Sequence, residues 1–221
     1  MKRFITALVF GVAAAAVPVI AMGATSTPSP TIAKAPSLVC KATKATGHAV
    51  KAVTPPAKMN PGRIGTFTLV TNCGNIVIRT DGVKAPVTLT AFTALAKAGY
   101  FNQSLCHRLT TNGLYVLQCG DPTATGTGGP GFTFRDENLP KAAANNYPAG
   151  TVAMANSGPN TNGSQFFLVF ANTTLAPSYT IWGKITSGLD IVKAIAAAGV
   201  KGGGADGTPK KTIAIEKVIL G

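Results

Sequence analysis

The chain has 221 residues, 46% hydrophobic and 12% charged, a composition that supports a buried core and excludes a disordered or fibrous chain. Its formal net charge of +13 points at first to a polyanionic partner, but residues 1–63 hold eight Lys or Arg and no acid, while residues 64–221 hold twelve bases against seven acids. With most of the excess concentrated in the N-terminal part, and no basic patch interleaved with aromatics, a nucleic-acid partner is not expected.

In chain order, Lys2 and Arg3 precede a nearly unbroken apolar run from Ile5 to Met22, followed by the small residues Gly23 and Ala24. Residues 1–24 therefore read as a cleaved export signal, with a retained N-terminal membrane anchor as the alternative. Residues 25–62 are rich in Pro, Ala and Lys, which predicts an extended, partly solvated tether. The folded domain is expected over residues 63–221. Thr66–Val70 and Ile76–Arg79 alternate in polarity around Asn72-Cys73-Gly74-Asn75, the pattern of a hairpin. Pro86 opens a helical pattern through Val87, Leu89, Phe92, Leu95 and Ala96, closed by Gly99. Short apolar strands follow at Tyr115–Gln118, Gly150–Asn156 and Gln165–Phe170, with further strands at Thr180–Ile185 and Thr212–Leu220 and a second helix over Asp190–Ala198. Many short strands with one early and one late helix fit a closed antiparallel barrel with helices over its ends.

The four cysteines, Cys40, Cys73, Cys106 and Cys119, suit an exported, disulfide-bonded protein, and the sequence leaves all three pairings open. No CxxC pair is present and the two histidines, His48 and His107, are not placed to complete a zinc site, so no metal and no cofactor are expected. Gly126-Thr127-Gly128-Gly129-Pro130-Gly131 lacks the Gly-Lys-Ser/Thr of a phosphate cradle. No Gly-x-Ser-x-Gly elbow accompanies His107, and adjacent strand residues such as Cys106 and His107 face opposite ways, which argues against hydrolase and thiol chemistry.

Three stretches carry a specific resemblance. They are Cys106-His107-Arg108-Leu109 with Leu114-Tyr115-Val116-Leu117-Gln118-Cys119-Gly120-Asp121; the glycine-rich run; and Met154-Ala155-Asn156-Ser157-Gly158-Pro159-Asn160-Thr161-Asn162-Gly163-Ser164-Gln165-Phe166-Phe167. In order and spacing they resemble the signature of the cyclophilins, the last almost letter for letter. The resemblance covers about Gly65 to Leu220. It implies a mainly β fold, a closed eight-stranded antiparallel β-barrel capped by two α-helices, and peptidyl-prolyl cis-trans isomerase activity.

By that resemblance Arg108 takes the catalytic position and Gln118 the active-site glutamine that orients it. Phe167, Leu175, Val116 and Tyr115 match the walls of a proline pocket. Ala155, Asn156 and Gln165 match groove positions that hold the peptide, Gly126 and Thr127 line the neighbouring pocket, and His107 and Tyr179 complete the substrate-binding set. The implied partners are proline-containing peptides and unfolded exported proteins, and a monomer is expected. An inactive peptide-binding chaperone and a wall-associated structural protein are the competing readings.

The chain departs from the family pattern in several places. Two additional residues lie between Arg108 and Gln118, within Thr110–Gly113. Thr174 stands where many members have a tryptophan that grips cyclosporin, and Tyr179 where many have histidine; both bear on drug sensitivity and peptide preference. Trp182 is expected in the core. Cys106 and Cys119 replace a phenylalanine and a glycine. Placed on the family's strands, they imply a Cys106–Cys119 bond, leaving Cys40–Cys73 to pin the tether.

Overall fold

A computed structural model describes residues 38–59 and 62–221. The apolar leader expected over residues 1–24 lies outside the described residues.

Polarity alternation builds the sheet. In Ile64–Thr71 (β1) the side chains of Phe67, Leu69 and Thr71 are buried while their neighbours are not. Two residues, Asn72 and Cys73, turn the chain into Gly74–Asp81 (β2), where Ile76, Ile78 and Thr80 are buried in the same alternation. Pro86–Lys97 (α1) begins at the expected proline, whose missing N–H costs nothing in a first turn. Glu137, from a distant loop, accepts hydrogen bonds from the backbone N–H groups of Val87 (3.1 Å) and Thr88 (2.7 Å) and so caps that turn. The helix ends at Gly99, which takes a left-handed φ of +70°.

The remaining elements are Ser104–Leu105 (β3), Arg108–Asn112 (β4), Leu114–Cys119 (β5), Thr151–Met154 (β6), Phe166–Val169 (β7), Ile181–Ser187 (β8), Leu189–Ala198 (α2), Asp206–Gly207 (β9) and Ala214–Leu220 (β10). Among the described residues all strand pairings are antiparallel, in the order β3-β10-β1-β2-β8-β6-β7-β5-β4-β9. Ser104–Leu105 pairs with β10, and three residues on Arg108 begins the strand that pairs with β5. One short stretch of chain thus meets both ends of the eight longer strands, and the sheet curls around its core. This is the mainly β, two-helix architecture expected from the sequence, with the small strands β3 and β9 added.

Among the described residues, two apolar clusters lie on opposite faces of the strands. The inner one centres on Phe67, Phe92, Phe101, Phe166 and Trp182, whose rings meet at centroid distances from 4.9 to 6.1 Å. Trp182 is fully buried there, as expected. The outer cluster is Val116, Tyr147, Ala153, Phe167 and Val169, with Leu114, Ala155, Leu175, Tyr179 and Ile181 packed against it.

Residues 38–58, within the segment read as a tether, have no helix or strand and run along this domain. Cys40 is bonded to Cys73, the Lys41 N–H donates to the Asn72 carbonyl (2.8 Å) and the His48 N–H to the Pro122 carbonyl (2.9 Å). Lys41, Lys44, Lys51 and Lys58 stay exposed.

Candidate active site

Cross-strand register assembles the site on the outer face. Arg108 on β4 sits opposite Gln118 on β5, Gln118 opposite Phe167 on β7, and Phe167 opposite Ala153 on β6. Side chains directly opposite in antiparallel strands share a face and lie within contact distance. One row therefore carries a cation, an amide and an aromatic ring in sequence.

Beside this row lies a cavity of about 150 Å³ lined by Arg108, Leu114, Val116, Gln118, Ala155, Asn156, Phe167, Leu175 and Tyr179. Its floor is the Phe167 ring, only 5% exposed and packed against Tyr147 and Tyr179 at centroid distances of 6.2 and 5.6 Å. The Tyr147 hydroxyl donates to the Tyr179 carbonyl and accepts from the Tyr179 N–H, each at 3.1 Å. Burial pushes the Tyr147 phenol up to about 12, so it remains a neutral strut under the floor.

The polar side of the cavity is a continuous chain of hydrogen bonds. Arg108 Nη1 donates to Gln118 Oε1 (3.3 Å), and Gln118 Nε2 to Gln165 Oε1 (2.8 Å). Gln165 Nε2 donates to the carbonyls of Gly126 and Gly128, both at 2.9 Å. On its other side, Arg108 makes a two-point ion pair with Asp206: Nε to Oδ1 at 2.8 Å and Nη2 to Oδ2 at 2.7 Å. Hydrogen bonding to that carboxylate raises the Arg108 pKa above its already high ordinary value. The guanidinium is a cation at every pH the fold survives.

A second, open cavity of about 660 Å³ shares Gln118, Ala155, Asn156 and Gln165 with the first and adds the loop Gly126–Thr133. Asp121, fully buried, holds that loop from inside. Its carboxylate accepts from the backbone N–H groups of Thr123 (2.8 Å), Gly126 (2.7 Å) and Gly128 (3.1 Å), and from the Thr123 hydroxyl (2.7 Å). Burial alone would raise the Asp121 pKa. The bonds from Thr123, Gly128 and Gly126 together outweigh burial and hold it below the ordinary value.

An apolar pocket with a fixed guanidinium at its rim and a peptide-sized groove beside it is the setting that the signature implies. The sequence from 66 to 220 matches the family model described as cyclophilin type peptidyl-prolyl cis-trans isomerase/CLD. The chain belongs to the cyclophilin family. It is 44% identical over 187 residues to the probable peptidyl-prolyl cis-trans isomerase B of Mycobacterium tuberculosis, covering 77% of this chain and 61% of that protein. The counterpart of Mycobacterium leprae is 43% identical over 196 residues, covering 82% and 66%. The chain thus spans about three fifths to two thirds of these relatives' length. A crystal structure of a cyclophilin-type isomerase from Cryptosporidium parvum superposes with a TM-score of 0.63 at 28% identity, over 72% of this chain and 98% of that one. The same Cryptosporidium protein in the presence of the dipeptide Ala-Pro gives a TM-score of 0.61, again at 28% identity, over 71% and 98%.

In this cyclophilin, Arg108, Gln118, Val116, Ala155, Asn156, Phe167, Leu175 and Tyr179 meet around one cavity, and Gly126, Thr127 and Gln165 line its neighbour. Two expected residues are placed elsewhere. Tyr115 faces away: its ring packs on Phe170 (5.9 Å) beside the inner core, and Leu114 takes the pocket position instead. The cause is strand alternation: Tyr115 is three residues from Gln118 on β5, so the two face opposite ways, and 114, 116 and 118 share the site face. The two additional residues lengthen the β4–β5 hairpin to an Asn112–Leu114 pair around Gly113. His107, next to Arg108 and so on the other face, is buried (9% exposed) behind the Gly126 loop and lines neither cavity. Burial, above all, lowers its pKa, so the ring stays neutral near pH 7. Cys106 is bonded to Cys119 across the strands that carry Arg108 and Gln118. Thr174 is exposed, accepts from the Asn145 N–H (2.8 Å), and is absent from the pocket lining. Leu114, Tyr147 and Asp206 are contributors that sequence reasoning did not find.

Asp121→Asn is expected to cost about 1–3 kcal/mol in chemical denaturation, because an amide nitrogen would then face backbone donors in a buried loop. The wild-type contribution has a definite pH sign. A carboxyl whose folded pKa is depressed stabilises fully above its unfolded pKa, near 4, and loses that stabilisation as pH falls toward the folded value. The gap between wild type and Asp121→Asn should therefore narrow on acidification below about pH 4. An unchanged gap down to acid unfolding would remove the charged carboxylate from this account.

Proposed function

We propose that the protein accelerates cis-trans rotation of X-Pro peptide bonds in exported polypeptides, without a covalent intermediate, and so assists their folding. The observation that carries this is the Arg108 guanidinium, held by Gln118 at the rim of the apolar cavity floored by Phe167.

The barrier is amide resonance, about 18–20 kcal/mol, which leaves X-Pro bonds exchanging over tens of seconds or more. At the twisted transition state the proline nitrogen loses conjugation and regains a lone pair. It accepts a hydrogen bond there that it cannot accept in the planar ground state. A cation with N–H groups aimed at that nitrogen binds the transition state better than the substrate, which is the condition for catalysis. Phe167, Val116, Leu114 and Leu175 bury the proline ring. Ala155, Asn156 and Gln165 hold the flanking peptide so that one side turns against the other. Asn156 is itself held by donation from its amide to the Ser178 carbonyl (2.9 Å).

Export is supported by the leader pattern over residues 1–24 and by two bonded cysteine pairs, which persist in oxidising compartments. In this proposal the segment around residues 25–62 links the leader to the isomerase domain, and the domain works as a monomer on unfolded chains.

The test is an isomerisation assay on short X-Pro peptides, by exchange NMR or protease coupling, with the purified chain. Catalysis well above the uncatalysed rate is expected; saturable binding without acceleration would favour the inactive binder. The rate should also be flat from about pH 7 to about pH 9, because no proton moves and His107, its pKa lowered by burial, stays neutral there. A bell-shaped or sigmoid profile in that window would put a titrating group in the mechanism.

A further inference from the structure

We propose that Asp206 is a positioning residue for Arg108: it fixes two of the guanidinium's N–H groups so that the uncommitted ones stay directed to the pocket. The inference deepens the assignment of Arg108 above and rests on it.

A guanidinium has five N–H donors in a rigid plane. Asp206 takes one from Nε and one from Nη2, and Gln118 takes one from Nη1. Two remain, one on each terminal nitrogen, at the rim of the Phe167 cavity. An arginine side chain has four rotatable bonds and loses rotamer freedom when ordered. Gln118 alone, a single bond at 3.3 Å, leaves the plane free to swivel about that contact. The two-point contact with Asp206 removes the swivel.

Asp206 is supplied by a local device. Gly202, Gly203 and Gly204 adopt φ values of +76°, +83° and +87°, which turn the chain between α2 and β10. The returning residues Asp206 and Gly207 form β9 and pair with Thr110 and Leu109 of β4. Asp206 is thereby the diagonal cross-strand neighbour of Arg108, a separation that long side chains bridge. The pair is solvent-accessible, with side-chain exposures of 41% for Arg108 and 54% for Asp206. Exposed pairs contribute little to global stability. A role in aiming the cation is therefore separable from a role in folding.

The experiment measures kcat and KM on an X-Pro peptide for wild type, Asp206→Ala, Asp206→Glu, Arg108→Ala and the double variant Arg108→Ala/Asp206→Ala. It is accompanied by the Nε–Hε NMR signal of Arg108. Asp206→Ala should lower kcat about tenfold, short of the hundredfold that a 1 Å misplacement of a reacting group can cost. KM should move by less than about twofold, the split expected when an interaction acts in the transition state. The melting temperature should not change, and the Arg108 Nε–Hε signal should shift and exchange faster. Asp206→Glu should recover most of the rate. In the Arg108→Ala background, Asp206→Ala should have no further effect. Wild-type or raised kcat in Asp206→Ala, or an equal loss in the absence of Arg108, would overturn the positioning role while leaving the Arg108 assignment standing. Wild-type activity in Arg108→Ala would instead overturn the assignment, and the positioning role with it.

Discussion

Replacing Arg108 by alanine should lower kcat/KM for a proline peptide by about 10²–10³-fold, the range found when one pre-oriented donor is removed from a developing charge. The loss should fall on kcat. In the planar ground state the proline nitrogen offers no lone pair, so Arg108 contributes little to substrate affinity there, and the apolar walls that remain in Arg108→Ala still bind the ring. The fold should be nearly untouched. Arg108 is half-exposed, and its ion-pair partner Asp206 can be solvated once the guanidinium is gone. Arg108→Lys is the informative companion. An ammonium keeps the charge but presents a point rather than a fork, so it cannot hold two Asp206 oxygens and Gln118 while still directing donors to the cavity. It should recover a minor part of the rate. Near-normal turnover in Arg108→Ala, measured by a method without a coupling protease, would remove the cation from the chemistry.

The fold was legible because its strands bury one face or both and say so in their composition. Thr66–Val70 and Ile76–Arg79 alternate, the Gln165–Phe170 stretch is continuously apolar from Phe166 on, and Pro86 and Gly99 bracket a helix. Strand β4 was not legible from pattern: Arg108-Leu109-Thr110-Thr111-Asn112 has one large apolar residue, and its pairing with β5 is what makes it a strand. The site followed from the run Met154–Phe167, because a groove that contacts peptide backbone constrains many consecutive residues. What failed was the choice of face. Matching letter to letter with the family pattern put Tyr115 in the pocket, but Tyr115 is three residues from Gln118 on one strand, and alternation sends its ring to the opposite face. Asp206 was hidden for another reason. It lies 98 residues from Arg108 in a glycine-rich loop with no periodicity, and only the three-dimensional pairing of β9 with β4 brings the two together. The packing of residues 38–58 on the domain was legible only at Cys40, through its expected bond to Cys73, since Pro, Ala and Lys signal neither a strand nor an apolar face.

Phe167→Ala is the second large effect, and it should separate two functions of one ring. Its neighbour Phe166 points inward to Phe92, Phe101 and Trp182, while Phe167 points outward to Tyr147 and Tyr179. Buried Phe→Ala changes cost about 3–5 kcal/mol. One face of Phe167 already borders an open cavity, which places this change near the lower bound, about 3 kcal/mol and a fall of about 10 °C in melting temperature for a chain of this size. The inner core is left whole, so the variant should remain folded at room temperature. Peptide affinity should fall as well, since the floor against which proline packs is gone and Tyr147 lies exposed beneath it. Phe167→Leu refills most of the volume. It should restore most of the stability but less of the affinity, because a branched aliphatic cannot present a flat face to the pyrrolidine ring. Phe166→Ala supplies the contrast: a comparable or greater loss of stability, with KM nearly unchanged at temperatures where the variant is folded. If Phe167→Ala destabilised the protein but bound X-Pro peptide like the wild type, the ring would be a structural element only. The proline pocket would then have to be sought in the neighbouring groove of Gln165 and Thr127.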